Sequence, residues 1–552
     1  MKCFVNGNEL KFKNSDFISS GKEGEVYCAG NKVYKIYIKP SDMIPYGKIN
    51  ELKELVRHNI LIPIDIIYDK SNAPIGFSML KIDNAINLCR LFVTKFLTKN
   101  SIDRDKLSIL VRNMKDTIDY IHSKKCLIVD CNEFNFLIGS DFITPYFIDT
   151  NSYMTKSFPP TAIMETIKDY HSNSFTELTD WYSFAVVSCQ IFLGVHPYKG
   201  KHSKFNDGDI KSRCLNNISI FNRDVFTPNC IRELSYIPNN YYDWFIELFE
   251  KGERIKPPDF PSNFKEFIST VVKQVSGDLI SKIIGTYEND ILFYVHNSFI
   301  SCLKIDGKAI INGNTYLCSR SKEIIYTTRQ KIAFVFVGID NGKLNIESPN
   351  LVCNVDINCT DMIVSNDTVY IKTDKIIALN FTLFDKTLLP SFKTWNINSN
   401  SVTFYSGAMI QNVLGKIFLI LINGNQLFQI RTQELDNKKI IDAKYLKNVC
   451  ILTIYDGNRY DRYIYKFNQN HSEYSHSVFQ NIEYLSVNFT VLDNGIVALF
   501  QSDDEFLMFT NKYDDNRVNT IKNNLPSGVV LCTNGDKCLY YFKNKLFEVS
   551  NN

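Results

Sequence analysis

No uncharged stretch in these 552 residues is long enough to span a bilayer, and the opening Met-Lys-Cys-Phe-Val-Asn-Gly-Asn lacks an apolar signal core. Both absences predict a soluble, cytoplasmic-type protein without a membrane partner. Paired cysteine spacing is also missing. The fifteen cysteines are odd in number and scattered; the closest approaches, Cys126/Cys131, Cys353/Cys359 and Cys532/Cys538, have no matching second pair. That argues against a zinc centre and for reduced thiols. Nor is there an excess of one charge. The 62 basic and 59 acidic residues leave a net +3, which gives no bulk argument for a nucleic-acid partner, local patches aside.

What remains is a globular composition, 45% hydrophobic, 22% charged and 13% aromatic. The length exceeds what one ordinary core supports, so two or three domains are expected. Abundant Asn, Lys and Ile point to an AT-rich genome, bacterial, viral or protist. A viral source would place the protein in the host cytoplasm or the virion.

The two halves of the chain read differently. Residues from about 10 to 80 alternate short β-like runs with one helix-like segment at 48–58. Further on, apolar residues recur at helical spacing: Leu107, Leu110, Val111, Met114, Ile118 and Ile121, then Trp181, Phe184, Ala185, Ser188 and Phe192. Strands followed by helices predict an α+β, two-lobed domain. After about residue 270 the helical period disappears. β-rich runs follow at 291–305, 322–337, 368–381, 416–430, 449–467, 495–511 and 529–549. Turn dipeptides punctuate them: Asp306-Gly307, Asn312-Gly313, Asn341-Gly342, Asn423-Gly424, Asp456-Gly457, Asn494-Gly495 and Asn534-Gly535. The last four recur roughly every 33 to 40 residues, close to a four-stranded propeller blade. WD and kelch signatures are absent, so a six- or seven-bladed β-propeller with degenerate blades is expected, with a pair of β-sandwiches as the alternative.

The densest polar chemistry lies in Cys126-Leu-Ile-Val-Asp130-Cys-Asn-Glu-Phe-Asn135-Phe-Leu-Ile138, followed by Asp149 in Tyr146-Phe-Ile-Asp-Thr-Asn151. Phosphoryl transfer needs one carboxylate at the attacking hydroxyl and two oxygen ligands for Mg²⁺. Asp130, Asn135 and Asp149 are candidates for all three. Upstream, Ile18-Ser-Ser-Gly21-Lys-Glu-Gly24-Glu-Val26-Tyr reads as strand, glycine turn and returning strand, where small residues let backbone amides approach phosphates. Lys32-Val-Tyr-Lys35-Ile-Tyr then offers a strand lysine for the α- and β-phosphates.

The order and spacing of these elements resemble a eukaryotic-type (Ser/Thr) protein kinase domain over residues 15 to 260. The resemblance implies ATP and Mg²⁺ as cofactors. It makes Ser19, Gly21, Gly24 and Val26 the nucleotide loop and Lys35 the phosphate lysine. Gly76-Phe-Ser-Met79-Leu-Lys-Ile82 resembles the strand into the adenine hinge, with Met79 and Lys81 beside the base. Asp130 is the implied catalytic Asp, Asn135 a metal ligand and Asp149 the principal one. Thr179-Asp180-Trp-Tyr-Ser-Phe-Ala with Gly194-Val-His-Pro197-Tyr-Lys-Gly200 resembles the large-lobe central helix and its exit, Asp180 bracing the catalytic loop. Lys251-Gly-Glu-Arg254-Ile-Lys-Pro resembles the closing segment, whose Arg pairs with a carboxylate, here Glu165 or Asp169. The implied domains are a kinase-like domain at 1–265 (small lobe about 1–82, large lobe about 83–265), a linker at 266–280 and an all-β domain at 281–552.

The pattern is also broken in places. Ile128 and Val129 precede Asp130 where kinases often carry His and Arg, so activation-loop phosphorylation has no cation to meet. Asn132 stands where a lysine usually contacts the γ-phosphate. Asp149-Thr150-Asn151 replaces Asp-Phe-Gly. For the helix glutamate that pairs with Lys35, Glu51 and Glu54 are candidates, although the alignment puts Lys48 nearest that position; Glu51 is the expected partner. Two readings follow. One is a phosphotransferase acting on protein Ser/Thr hydroxyls, with the β-rich half recruiting substrate or an assembly partner. The other is a pseudokinase scaffold that binds nucleotide or partners without transfer.

Overall fold

The computed structural model describes residues 2–13, 16–21, 23–161, 163–206, 208–227, 230–260, 278–296, 300–319, 323–327, 333–348, 351–353, 355–365, 367–397, 399–423, 426–457, 459–502, 504–526 and 528–551. Of the expected linker, 266–277 lies outside them, as do Lys22 of the glycine turn, Gly424 of the Asn423-Gly424 turn and parts of the 322–337 run. The protein is mostly β-sheet, with few helices and many small antiparallel sheets. It divides into two compact units, 1–97 with 102–273, and 98–101 with 274–552. Among the described residues no helix is long and apolar enough to cross a membrane.

In the first unit the strands are β1 (Lys2–Val5), β2 (Asn8–Lys11), β3 (Phe17–Ser20), β4 (Gly24–Ala29), β5 (Lys32–Tyr37), β6 (Ile66–Tyr68) and β7 (Pro74–Leu80). They form one antiparallel sheet in the order β2-β1-β6-β7-β5-β4-β3. Side chains alternate across β5. Tyr34 and Ile36 enter an apolar cluster with Cys3, Phe12, Phe17, Tyr27, Ile67 and Ile75, which leaves Lys35 to the opposite face. Helix α1 spans Tyr46–Leu52, ending short of the expected segment at 48–58. The chain instead tightens into i→i−3 bonds, Glu54 N to Glu51 O and Leu55 N to Leu52 O. Those turns bury Leu55 and bring the Val56 amide to the Tyr120 hydroxyl.

Next come β8 (Ile86–Asn87), α2 (Thr94–Lys99), α3 (Arg104–Ser123), β9 (Phe136–Ile138), β10 (Pro145–Phe147), α4 (Glu177–Leu193), α5 (Ile210–Leu215) and α6 (Asn239–Phe249). Strands β8, β9 and β10 form a small sheet in the order β10-β9-β8. Asp103 caps α3 by accepting from Lys106 N at 2.9 Å, and the i, i+3, i+4 set Leu107, Leu110, Val111, Met114, Ile118 and Ile121 is buried. Helix α4 is buried nearly all round, as a helix apolar on every face must be. Thr176 and Thr179 close a capping box at its start. Gly194, at φ +79°, ends it with its amide on Gln190 O.

The second unit contains seven antiparallel sheets, six of four strands and one of three, among the described residues. Its first strand, Leu279–Thr286, pairs with its last, Lys545–Asn551, in a sheet completed by Lys537–Phe542 and Val530–Asn534. Six apolar clusters each draw on two sheets that follow one another. Ile324 and Phe336 pack with Cys302 and Ile311, for example, while Ile291 and Leu303 pack with Leu539 and Tyr541. The Asn488 carboxamide donates to Val529 O and accepts from Leu531 N, joining the Phe489–Val491 sheet to the Val530–Asn534 strand. The Asn312-Gly313 and Asn341-Gly342 turns carry the successive positive φ values (48° and 84°, 49° and 76°) that a two-residue hairpin requires.

Candidate active site

The approach of β3, β4 and β5 is set by backbone fit. Gly21 N donates to Gly24 O at 2.9 Å, closing the turn. A Cβ on Gly24 would meet Ile36 O at 2.5 Å, so only glycine lets β5 lie this close. In register, Ser19 faces Val26, Val26 faces Lys35 and Lys35 faces Phe77. Met79 sits across from Val33, nearly buried, and Lys81 donates its amide to Asn31 O while its ammonium meets Asp83 at 2.6 Å.

The Lys35 side chain is 12% exposed, and its ammonium makes three contacts. They are Asp149 Oδ1 at 2.9 Å, Glu23 Oε2 at 3.0 Å and Asn151 Oδ1 at 3.4 Å. Burial works to lower its pKa, but Asp149, Tyr37 and Glu23 together outweigh that and hold it above the ordinary lysine value. Asp149 itself takes a left-handed backbone, φ +60°, an unusual conformation for a non-glycine residue.

Glu51 does not reach Lys35. Its carboxylate accepts from Ser157 N at 3.1 Å, because α1 lies against the segment after Asp149. Gly47 packs under the Phe158 ring, and Lys48 donates to Pro159 O at 3.0 Å from a buried position where burial lowers its pKa. The expected Lys35–Glu51 pair is therefore corrected: the acidic partners of Lys35 come from the glycine turn and from Asp149.

Asp130 lies on a loop held from below. The Asp180 carboxylate, fully buried on α4, accepts from Ile128 N at 2.7 Å and Val129 N at 2.8 Å, and meets His122 Nε2 at 2.9 Å. These bonds fix Val129 at φ +62°, a strained setting for a β-branched residue. Asn135 Nδ2 donates to Asp130 O at 2.9 Å and to Asp130 Oδ2 at 3.2 Å, and Met164 N donates to Asp130 Oδ1 at 2.8 Å. Burial pushes the Asp130 carboxyl above the usual carboxylate range, against those hydrogen bonds. Ile148 N donates to Asn135 O at 3.0 Å, tying the Asp130 loop to the strand leading into Asp149. Of the two carboxylates open to Arg254, the structure pairs Asp169, with both contacts at 2.7 Å.

The structure thus brings Lys35 and Asp149 into contact, and Asp130 and Asn135 into contact. Sequence reasoning missed Glu23, Asn151 and the Met164 amide. A glutamate between two glycines, and an amide where the resembled pattern has glycine, were the available signals for the first two. Among the described residues no group of three or more His, Cys, Asp or Glu side chains could hold a metal ion. The hard oxygen donors on hand are Asp149 and the Asn135 carboxamide, whose nitrogen is already committed to Asp130.

No family model matches the chain. A stretch of 202 residues, 35% of the chain, is 25% identical to the mitogen-activated protein kinase kinase kinase dlk-1 of Caenorhabditis briggsae, and covers 23% of that protein. The chain therefore spans less than a quarter of the length of this curated relative. The likeness marks a kinase-like region in the chain.

Proposed function

We propose that the first unit is a two-lobed, α+β kinase-like domain that takes Mg²⁺ and ATP and transfers the γ-phosphoryl group to a protein Ser or Thr hydroxyl. The observation that carries this reading is the Lys35–Asp149 contact beside a loop that pairs Asp130 with Asn135. Lys35 supplies the cation for the α- and β-phosphates. Asp130 accepts the hydrogen bond of the incoming hydroxyl, and its raised pKa suits it to take that proton as the new oxygen–phosphorus bond forms and the bond from the γ-phosphorus to the departing ADP breaks. Asp149 and the Asn135 oxygen fit Mg²⁺, a hard cation that would neutralise phosphate charge. Asp180 sets the position of Asp130 through the amides of Ile128 and Val129.

The second unit is read as a seven-bladed β-propeller that recruits the protein substrate or an assembly partner. Seven sheets, the shared cores between successive sheets, and the pairing of the first strand with the last support it. All fifteen cysteines are free thiols, which suits a reducing, cytoplasmic compartment.

A second reading, a nucleotide-binding pseudokinase scaffold, is favoured by one observation. Both oxygens of Asp130 are already engaged, one by Asn135 and one by the Met164 amide. Incubation with labelled ATP and a generic protein acceptor separates the two, comparing wild type with Asp149→Ala and Asp130→Asn. Incorporation that falls to background in both variants supports transfer. Equal incorporation in all three sinks the enzyme reading. A Mg²⁺-dependent melting shift with ATP but no transfer supports the pseudokinase.

A further inference from the structure

The Lys35 ammonium has three N–H donors. Asp149, Glu23 and Asn151 supply three acceptors around it. With all three donors engaged, none is left for a phosphate oxygen, so an acceptor must leave before Lys35 can hold a nucleotide. The three differ in how readily they can. Glu23 sits in the two-glycine turn with its side chain 41% exposed, and its carboxylate can return to water. Asp149 is the oxygen donor a divalent cation would draw away. Asn151 cannot move aside in this way: it lies in the short helical turn Thr150–Ser152 and is 1% exposed. Its Nδ2 is buried without a hydrogen-bond partner, a donor whose desolvation is left uncompensated. Helix α1 offers no substitute, since Glu51 is bonded to Ser157 N and Lys48 to Pro159 O.

Resting on the nucleotide reading above, we propose that Asn151 is the fixed anchor of Lys35 while nucleotide is bound, and that Glu23 is the acceptor a phosphate oxygen displaces. Asn151 Oδ1 keeps the ammonium aimed into the site as Asp149 turns to the cation. The buried Nδ2 donor is left to meet an anionic oxygen. Asn151 is thus a positioning residue, in place of the helix carboxylate that this chain does not bring to Lys35. Glu23 is an internal stand-in for the phosphate.

The test uses the full chain, with Mg²⁺·ADP binding followed by calorimetry and by the melting midpoint. Asn151→Leu keeps the branching at Cγ, adds some volume, and removes both the acceptor for Lys35 and the orphaned donor. A merely structural asparagine would lower the ligand-free midpoint on this change. The proposal expects that midpoint unchanged or raised, with Mg²⁺·ADP binding weakened about tenfold. Asn151→Ser, which keeps a shorter oxygen acceptor, should weaken binding by less, and it carries the test if the leucine variant fails to fold. Glu23→Gln should tighten binding a few-fold, because Lys35 is released from a competing charge. Binding within twofold of wild type in both Asn151 variants overturns the proposal. So does a loss in Glu23→Gln as large as that in Asn151→Leu, which would make Glu23 the anchor. Absence of Mg²⁺·ADP binding to wild type would instead sink the nucleotide reading itself, and the proposal with it.

Discussion

Replacing Asp180 by alanine should free the loop that carries Asp130. The carboxylate is fully buried and meets three donors, the amides of Ile128 and Val129 and His122 Nε2, all within 2.9 Å. Each buried donor left without a partner costs about 1–3 kcal/mol. Partial relaxation and entry of water reduce the sum, so the expected loss of stability is about 3–5 kcal/mol. The strain at Val129, φ +62°, works in the same direction, because nothing else described holds its amide in that conformation. Native-state hydrogen exchange reads this out locally. In wild type the amides of Ile128 and Val129 should be among the slow exchangers of the first unit, and in Asp180→Ala they should exchange orders of magnitude faster. Urea unfolding followed by tryptophan fluorescence gives the global loss, with Trp181 and Trp244 reporting the first unit and Trp395 the second. A variant within about 1 kcal/mol of wild type, with both amides still protected, would refute the reasoning, since buried donors cannot lose a carboxylate so cheaply.

Arg254→Lys should weaken the first unit by about 1–2 kcal/mol in the same urea assay, because an ammonium cannot reproduce the two-point contact with the buried Asp169 carboxylate. Burial lowers the pKa of His196 to about 3; it accepts from Tyr198 N through Nδ1 and bonds Thr166 O through Nε2, which suits the neutral ring. Its folded pKa lies below the unfolded value of 6.5, so its contribution is complete above pH 6.5 and is lost as the pH falls toward 3. At pH 5 that loss is about 2 kcal/mol, and His196→Gln should flatten the acid limb of the stability–pH curve between those limits. In the second unit, Gly407 has φ +69° and a Cβ there would collide with Tyr445 O, so Gly407→Ala should lower the Trp395-reported transition by about 2–4 kcal/mol.

Much of this organisation could be read from residue order. Asp130, Asn135 and Asp149 announce themselves by type and spacing, and the Asn-Gly and Asp-Gly dipeptides mark turns because only such residues take the required positive φ. The alternation in Lys32–Tyr37 puts Tyr34 and Ile36 in the core and Lys35 on the far face. The partners of Lys35 were not legible, because an ion pair between residues 12 or 114 positions apart is fixed by tertiary placement. Glu51 looked suitable on a helix extended to residue 58. The helix stops at Leu52 and packs on residues 157–159, so the carboxylate has a nearer donor. The Met164 amide on Asp130 gave no signal at all, since any residue could supply it. The number of sheets in the second unit was bounded but not set by the turn period, because strands without a repeated signature leave sheet boundaries unmarked.

The most direct test of the site is calorimetric titration of the full chain with ATP, in the presence of Mg²⁺ and after its removal by chelation, for wild type, Lys35→Met and Asp149→Ala. The account predicts saturable binding by wild type that weakens at least tenfold without Mg²⁺. Lys35→Met should lose most of the binding in either condition. Asp149→Ala should lose its dependence on Mg²⁺. Wild type that takes up no ATP, or an Asp149→Ala variant that binds with undiminished Mg²⁺ dependence, would contradict it.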